Sequence, residues 1–147
     1  MAATSSIGRA TTVRDIMTAN PVTFDHEARL SDAVAMMEQR HILHMPIVRG
    51  GKLVGLLSDR DVHDALPSVL TLKDPEARKR ALYLTRVSQV CNAQPAVLGP
   101  GTTVLDAIAT MRRSRHGCCP VVEGDRVVGI VTSGDLINLL ERMLAAS

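Results

Sequence analysis

Aromatic side chains are nearly missing from this chain, which has one Phe (Phe24), one Tyr (Tyr83) and no Trp in 147 residues. Proteins that hold single-stranded nucleic acid stack bases on aromatic platforms, and none is available here. A nucleobase, if bound, has to lie between aliphatic side chains. Charge of one sign is scarce too: the formal net charge is +2, too little to grip a phosphate backbone. The three cysteines are an odd number without CxxC spacing, which argues against a disulfide framework and for a reducing compartment. No apolar run approaches the length of a membrane helix, and Met1 to Ala10 is small and polar, without the apolar segment of a secretion signal. The expectation is a soluble cytoplasmic protein with no membrane partner and no nucleic-acid partner.

What is present is a hydrophobic content of 46%, enough for a packed core, and an internal repeat. Val13 to Val62 align without a gap on Val87 to Leu136 at a constant offset of 74. Pro21 meets Pro95, Asp32 meets Asp106, Pro46 meets Pro120, Gly55 meets Gly129 and Asp61 meets Asp135. Prolines and glycines in register mark two copies of one unit. In each copy a short apolar stretch (Val13, Ile16, Met17) leads to a Pro-led extended piece. Leu30, Ala33, Val34 and Met37 then recur at helical spacing, as do Val104, Ala107, Ile108 and Met111. A strand at His44–Val48, a turn at Gly50-Gly51 (Gly124-Asp125 in the second copy) and a return strand at Leu53–Leu57 form a hairpin. A second helix begins at Ser58 or Asp59.

The fold class expected is α/β (α+β): two pseudo-twofold-related β-α-β-β-α repeats packed sheet to sheet, because one three-stranded unit leaves a face uncovered. The domain reading is a flexible N-terminus at 1–10, the first repeat at 11–66, a helical connector at 67–84 and the second repeat at 85–147. Pro67 ends the first unit's last helix. Asp74-Pro75-Glu76 starts the connector helix, which exposes Arg78, Lys79, Arg80 and Arg86 as a solvated face or a contact for an acidic partner.

The motif that carries chemistry is Gly55-Leu-Leu-Ser58-Asp-Arg-Asp61 with its copy Gly129-Ile-Val-Thr132-Ser-Gly-Asp135. One reading is structural: Ser/Thr followed three residues later by an acid caps a helix. The other is functional. A strand-to-helix junction offers helix amides to phosphate. Gly55 and Gly129 let a flat ring approach the strand. An Asp one turn into the helix can accept hydrogen bonds from both ribose hydroxyls, with Ser58 or Thr132 on the phosphate side.

Two copies of this order, each ending in Gly-h-h-Ser/Thr-x-x-Asp, resemble the CBS-domain pair, or Bateman module, over nearly the whole chain. The resemblance implies an adenosyl ligand (AMP, ADP, ATP or S-adenosylmethionine, the nucleotides with or without magnesium) in two clefts between the repeats. It implies a flat homodimer. No catalytic constellation is found and no effector domain is seen beside the repeats, so no catalysis is expected and the output is expected to act in trans on a target protein. The resemblance implies that Asp61 and Ser58 face Ala96 and His116-Gly117, that Asp135 and Thr132 face Val22 and Ile42-Leu43, and that Leu56 and Ile130 wall the adenine. Arg60 stands where the second motif has Gly134; a guanidinium there can fork onto a β- or γ-phosphate, so the two clefts are expected to be unequal. The other class of function is a structural dimerisation module with vestigial clefts. Pairing itself is expected from the apolar helix ends, including Leu139, Leu140, Met143 and Leu144.

Cys118-Cys119 beside His116 suggests metal or redox chemistry, but adjacent cysteines do not readily place two thiolates on one zinc. On an alternating strand one should face the core and the other the cleft or solvent. His41 and His44 are either surface histidines or phosphate contacts at a cleft mouth. Met36, Met37 and Met111 belong to the core. Ser58 has no His and acid arranged for nucleophilic catalysis.

Overall fold

The computed structural model of the chain describes residues 11–66, 74–114 and 117–146. Expectations that fall on residues 1–10, on Pro67 and on Arg115 and His116 lie outside them. Two compact units are formed, one of residues 22–94 and one of residues 1–21 with 95–147.

In the first of these, β2 (Phe24–Asp25) runs parallel to β3 (His44–Arg49), which pairs antiparallel with β4 (Lys52–Ser58). The hairpin turns tightly because Gly50 and Gly51 both take positive φ, 56° and 80°, where a side chain would be strained. Helix α2 (Leu30–Arg40) buries Leu30, Ala33 and Met37, the face read from the sequence, and stops at His41. His41 is in the left-handed region at φ 53°, with its N–H donating to the Met37 carbonyl, so it serves as a C-cap. Helix α3 (Asp59–Ala65) follows β4 directly.

The connector helix α4 (Pro75–Leu84) begins as expected. The Asp74 side chain accepts from the Glu76 N–H at 3.0 Å, and Pro75 stands in the first turn. Its Leu82 joins the core of Leu30, Met37, Met45, Ile47, Leu57, Val62 and Val87. Arg29 fastens the end of α4: its guanidinium lies 3.9 Å over the Tyr83 ring and donates to the Tyr83 carbonyl at 2.7 Å. Arg86 donates to the Glu27 carbonyl at 2.9 Å. One sequence reading is corrected. Lys79, Arg80 and Arg86 are exposed, but Arg78 is half-buried and lines a groove with Val34, Met37 and Glu38 of α2.

In the other unit, α1 (Val13–Ile16) leads to β1 (Thr18–Ala19), antiparallel to β6 (Arg126–Thr132), which also pairs with β5 (Cys118–Glu123). Helix α5 (Val104–Arg113) is capped by Thr103, which accepts from the Asp106 N–H at 3.2 Å. Helix α6 (Ser133–Ala146) closes the chain's described part. Val13, Leu98, Val104, Ala107, Met111, Cys119, Val121, Val131 and Leu139 form this core.

The compact units exchange the lead-in segments of the repeats. Val13 is fully buried among second-repeat residues, and its counterpart Val87 is fully buried among first-repeat residues. The backbone explains why. Thr18-Ala19 supplies the free edge of β6 with a partner, and Asn92 does the same for β4, exchanging both backbone bonds with Leu56 at 2.9 Å. No helix among the described residues is long and apolar enough to cross a membrane.

Candidate functional site

The two motifs fold alike. Ser58 ends β4 in extended backbone and caps α3: its Oγ accepts from the Asp61 N–H at 3.1 Å, while the Ser58 N–H donates to Asp61 Oδ2 at 2.9 Å. This is a full capping box, and Ser58 is buried at 3% exposure. At the start of α6 the Thr132 N–H donates to Asp135 Oδ2 at 2.8 Å, and the Thr132 hydroxyl donates to the same oxygen at 3.4 Å. Both carboxylates are therefore held through Oδ2, which aims Oδ1 away from the cap. The hydroxyls differ: Ser58 Oγ is an acceptor in its box and can still donate outward, whereas the Thr132 proton is used on Asp135.

The space in the Cβ direction of the motif glycines is filled by the chain itself. A Cβ on Gly55 would sit 2.7 Å from Cys91 Sγ and 3.0 Å from the Asn92 carbonyl. A Cβ on Gly129 would collide with Met17 Sδ and lie 3.1 Å from the Thr18 carbonyl. The glycines admit the exchanged lead-in segments, side-chain sulfur first and a backbone carbonyl next to it. Met17 and Cys91 occupy matching positions in the repeat, so the device is used twice. Gly55→Ala is expected to lose about 1–3 kcal/mol by overpacking, and Cys91→Ala should restore part of it. Urea unfolding of the two single variants and the double variant checks this: a coupling of about 1 kcal/mol is expected, and strictly additive losses would mean that the thiol is not what the added methyl meets.

The remaining candidates are distributed as follows. Leu56 and Ile130 are buried at 2% and 7% exposure, yet both stand outside the two core clusters. By strand alternation they face away from Leu57 and Val131, which are in the cores. Val22 and Ile42 pack on the core of residues 22–94, and Ala96 on the other core. Leu43 is exposed, and its carbonyl accepts from the Asp59 N–H at 3.0 Å; the Gly117 carbonyl likewise accepts from the Ser133 N–H at 2.9 Å. Each loop before a hairpin is thus tied to the helix start that follows it. His116 lies outside the described residues. Arg60 is exposed and lines a groove with Glu38, Asp59, His63, Asp64 and Arg78, a setting of mixed charge on the helical side of the unit. His44 is half-buried at the start of β3.

Both members of the Cys118-Cys119 pair are buried, at 2% and 0% exposure, so neither faces solvent. Cys119 is in the core, and Cys118 is on the strand face that Ile130 shares. Burial pushes the Cys118 thiol up to about 12, with further contributions from Cys119 and from the Asp135 carboxylate. Burial likewise raises Cys91, and Asp61 adds to it. Each motif carboxylate therefore has a protonated thiol beside it, a feature that sequence reading missed because neither cysteine is near its Asp in the chain.

The matching boxes, the doubled strand–hairpin–helix units and the repeated lead-in exchange describe one kind of module, and comparison with known proteins agrees. A CBS domain-containing protein of Dictyostelium discoideum is 29% identical over 134 residues, 90% of this chain and 92% of its own. The CBS domain-containing protein YhcV of Bacillus subtilis is 29% identical over 136 residues, covering 92% of this chain and 90% of that one. The crystal structure of the CBS domain pair of protein MJ0100, in complex with 5′-methylthioadenosine and S-adenosyl-L-methionine, superposes with a TM-score of 0.73 at 26% identity, covering 88% of this chain and 99% of that one. The CBS-domain family model matches twice, at residues 13–68 and 87–142, each match running from a buried lead-in valine through the Ser/Thr-x-x-Asp box, and the chain belongs to the CBS-domain family as a tandem pair.

Proposed function

We propose that this CBS pair is a regulatory module that binds adenosyl ligands, with AMP, ADP or ATP as the first candidates, and passes their occupancy to a partner protein in trans. The observation that carries the reading is the duplicated carboxylate. Asp61 and Asp135 are each fixed through Oδ2 by the cap, which leaves Oδ1 for the two vicinal ribose hydroxyls. Ribose and adenine are what nucleotides share with the ligands of the MJ0100 domain pair, so a ribose-directed site suits the whole class. Ser58 and Thr132 serve the ribose–phosphate side, and Leu56 and Ile130, buried outside the cores, supply aliphatic surface for the base. Arg60 is exposed in a groove that mixes acids (Glu38, Asp59, Asp64) with bases (His63, Arg78), and its contact to a β- or γ-phosphate stays part of the proposal. A ligand can shift the module only through unequal affinity for two of its shapes.

Ribonucleotides are expected to bind about ten- to a hundredfold more tightly than their 2′-deoxy forms, the loss of a hydrogen bond to a charged acceptor. Calorimetric titration of AMP against 2′-deoxy-AMP tests this, and equal affinities would remove the ribose role. A second reading, a structural pairing module whose clefts are vestigial, is favoured by the exposed apolar side chains Leu105, Ile137, Leu140 and Leu144. Thermal denaturation separates the two. Ligand at about 100 times its dissociation constant adds roughly 2.7 kcal/mol, so a binder melts several degrees higher with adenine nucleotides and a purely structural module does not respond.

A further inference from the structure

Residues 75–92 form one hydrogen-bonded strap that joins α4 to the first motif. At the motif end Asn92 exchanges both backbone bonds with Leu56, and Cys91 Sγ lies 2.7 Å from where a Gly55 Cβ would stand. Next comes a 3₁₀ turn at Val87–Gln89, closed by the Val90 N–H on the Val87 carbonyl at 3.1 Å. Three backbone bonds then sew the strap to the segment that opens α2. The Ser88 N–H donates to the His26 carbonyl, the Val87 N–H to that of Ala28 and the Leu30 N–H to that of Thr85, at 3.2, 2.9 and 2.8 Å. Thr85 ties the last turn of α4 through its N–H and its hydroxyl, both on the Ala81 carbonyl. The other lead-in has the same sewing without the same clasp. Shifted by the repeat offset of 74, the bonds from Arg14, Val13 and Val104 to Pro100, Thr102 and Thr11 reproduce all three. At the bridge between the paired segments, Arg29 and Arg86 in one place become Thr103 and Thr12 in the other. The arginines reach across, Arg29 to the Tyr83 carbonyl and ring and Arg86 to the Glu27 carbonyl. The threonines stay on their own helix starts: the Thr12 hydroxyl donates to Asp15, and that of Thr103 accepts from the Asp106 N–H.

We propose that the strap couples the first motif to the docking of α4 on α2, so that α4 is the element whose position reports occupancy of that motif. Helix α4 suits the part because it is lightly held. Leu82 is the one side chain it buries, and the Arg29–Tyr83 clasp fastens its end. An element with little buried surface opens at low free energy, which gives it two arrangements, docked and released. At the other end of the strap Leu56 is assigned to the base. A base against Leu56 fixes β4 where Asn92 pairs with it, and every step from Asn92 to Tyr83 is hydrogen-bonded. Occupancy therefore favours docked α4, and by reciprocity whatever holds α4 docked tightens the ligand. The inference takes its ligand from the nucleotide reading; the link from Gly55 to Tyr83 does not need it.

Tyr83 is the one tyrosine of the chain and there is no Trp, so tyrosine fluorescence anisotropy reports the clasp alone. Without nucleotide, Gly55→Ala pushes on Cys91 and is expected to release Tyr83, lowering its anisotropy at a temperature where circular dichroism shows both proteins folded. Met17→Ala, in the matching position of the other lead-in, should leave the wild-type value. Should Gly55→Ala fail to fold, Cys91→Ala, which empties the same contact, is expected to lower the anisotropy in its place. With saturating AMP, hydrogen exchange at Val87, Ser88 and the α4 amides should slow by about fivefold or more. Arg29→Ala with Arg86→Ala should weaken AMP binding by about fivefold or more, although neither arginine is assigned to the nucleotide. Wild-type anisotropy in both Gly55→Ala and Cys91→Ala would overturn the coupling, and so would protection by AMP that stops at β4 and α3. If calorimetry shows no AMP binding, the nucleotide reading fails by itself and the anisotropy of the ligand-free variants still decides the strap.

Discussion

Asp61→Ala is expected to fail in two measurements and Asp61→Asn in one. The carboxylate has two tasks that use different oxygens: Oδ2 accepts from the Ser58 N–H at 2.9 Å, and Oδ1 is assigned to ribose. Ser58 is buried at 3% exposure, so alanine at position 61 orphans a buried donor and removes a negative charge from the first turn of α3. A lost partner for a buried N–H costs about 1–3 kcal/mol, readable as a lower urea midpoint. Asparagine keeps a carbonyl oxygen for that N–H, so its stability should stay within about 0.5 kcal/mol of wild type. Neither variant keeps a charged acceptor for ribose, and both should bind adenine nucleotides about ten- to a hundredfold more weakly. Asparagine that binds as well as aspartate would reduce Asp61 to a helix cap and nothing more. Asp135 should behave likewise, with a somewhat larger structural loss because Thr132 gives it both its N–H and its hydroxyl. The variant with both alanines should show no thermal shift with nucleotide.

Much of this was legible in the sequence, and the parts that were not share a cause. Helices α2 and α5, the two hairpins and the capping boxes are local: their signals are an apolar period, a Gly-Gly or Gly-Asp turn and a Ser/Thr-x-x-Asp spacing, all within a few residues. The boundaries of the compact units were not legible. Whether Val13 packs in its own repeat or the other is decided by which strand edge needs a partner, and no periodicity records that. The motif glycines show the same limit. Their lack of a side chain pointed to a close approach, but the approaching atoms, Cys91 Sγ and Met17 Sδ, come from segments more than thirty residues away in sequence. Arg78 reads as exposed on the connector helix when the sequence alone is considered, and becomes half-buried once that helix packs on α2.

Stability is expected to fall with alkaline pH, and Cys118 should account for a separable part of the fall. Its thiol is pushed up to about 12 in the folded protein, against an ordinary value of 9. The causes are burial first, then Cys119, then Asp135 on the neighbouring helix start. Because the folded value lies above the unfolded one, the unfolded chain releases this proton first as pH rises. The contribution is intact below pH 9 and is lost progressively as pH climbs toward 12. By pH 10 the loss is about 1.4 kcal/mol from this group alone. Urea unfolding at pH 7 and pH 10 of wild type and Cys118→Ala isolates it: Cys91 and Cys119 are raised in both proteins, so the difference of differences belongs to Cys118. The same shift leaves roughly a thousandfold less thiolate at pH 8 than an ordinary cysteine has. Iodoacetamide should therefore label Cys118 in the native protein at least about a thousandfold more slowly than in urea, where the burial is gone. Equal pH slopes for wild type and Cys118→Ala, or rapid native labelling at Cys118, would mean that the strand opens to water beside Asp135, and with it the surroundings of the second motif.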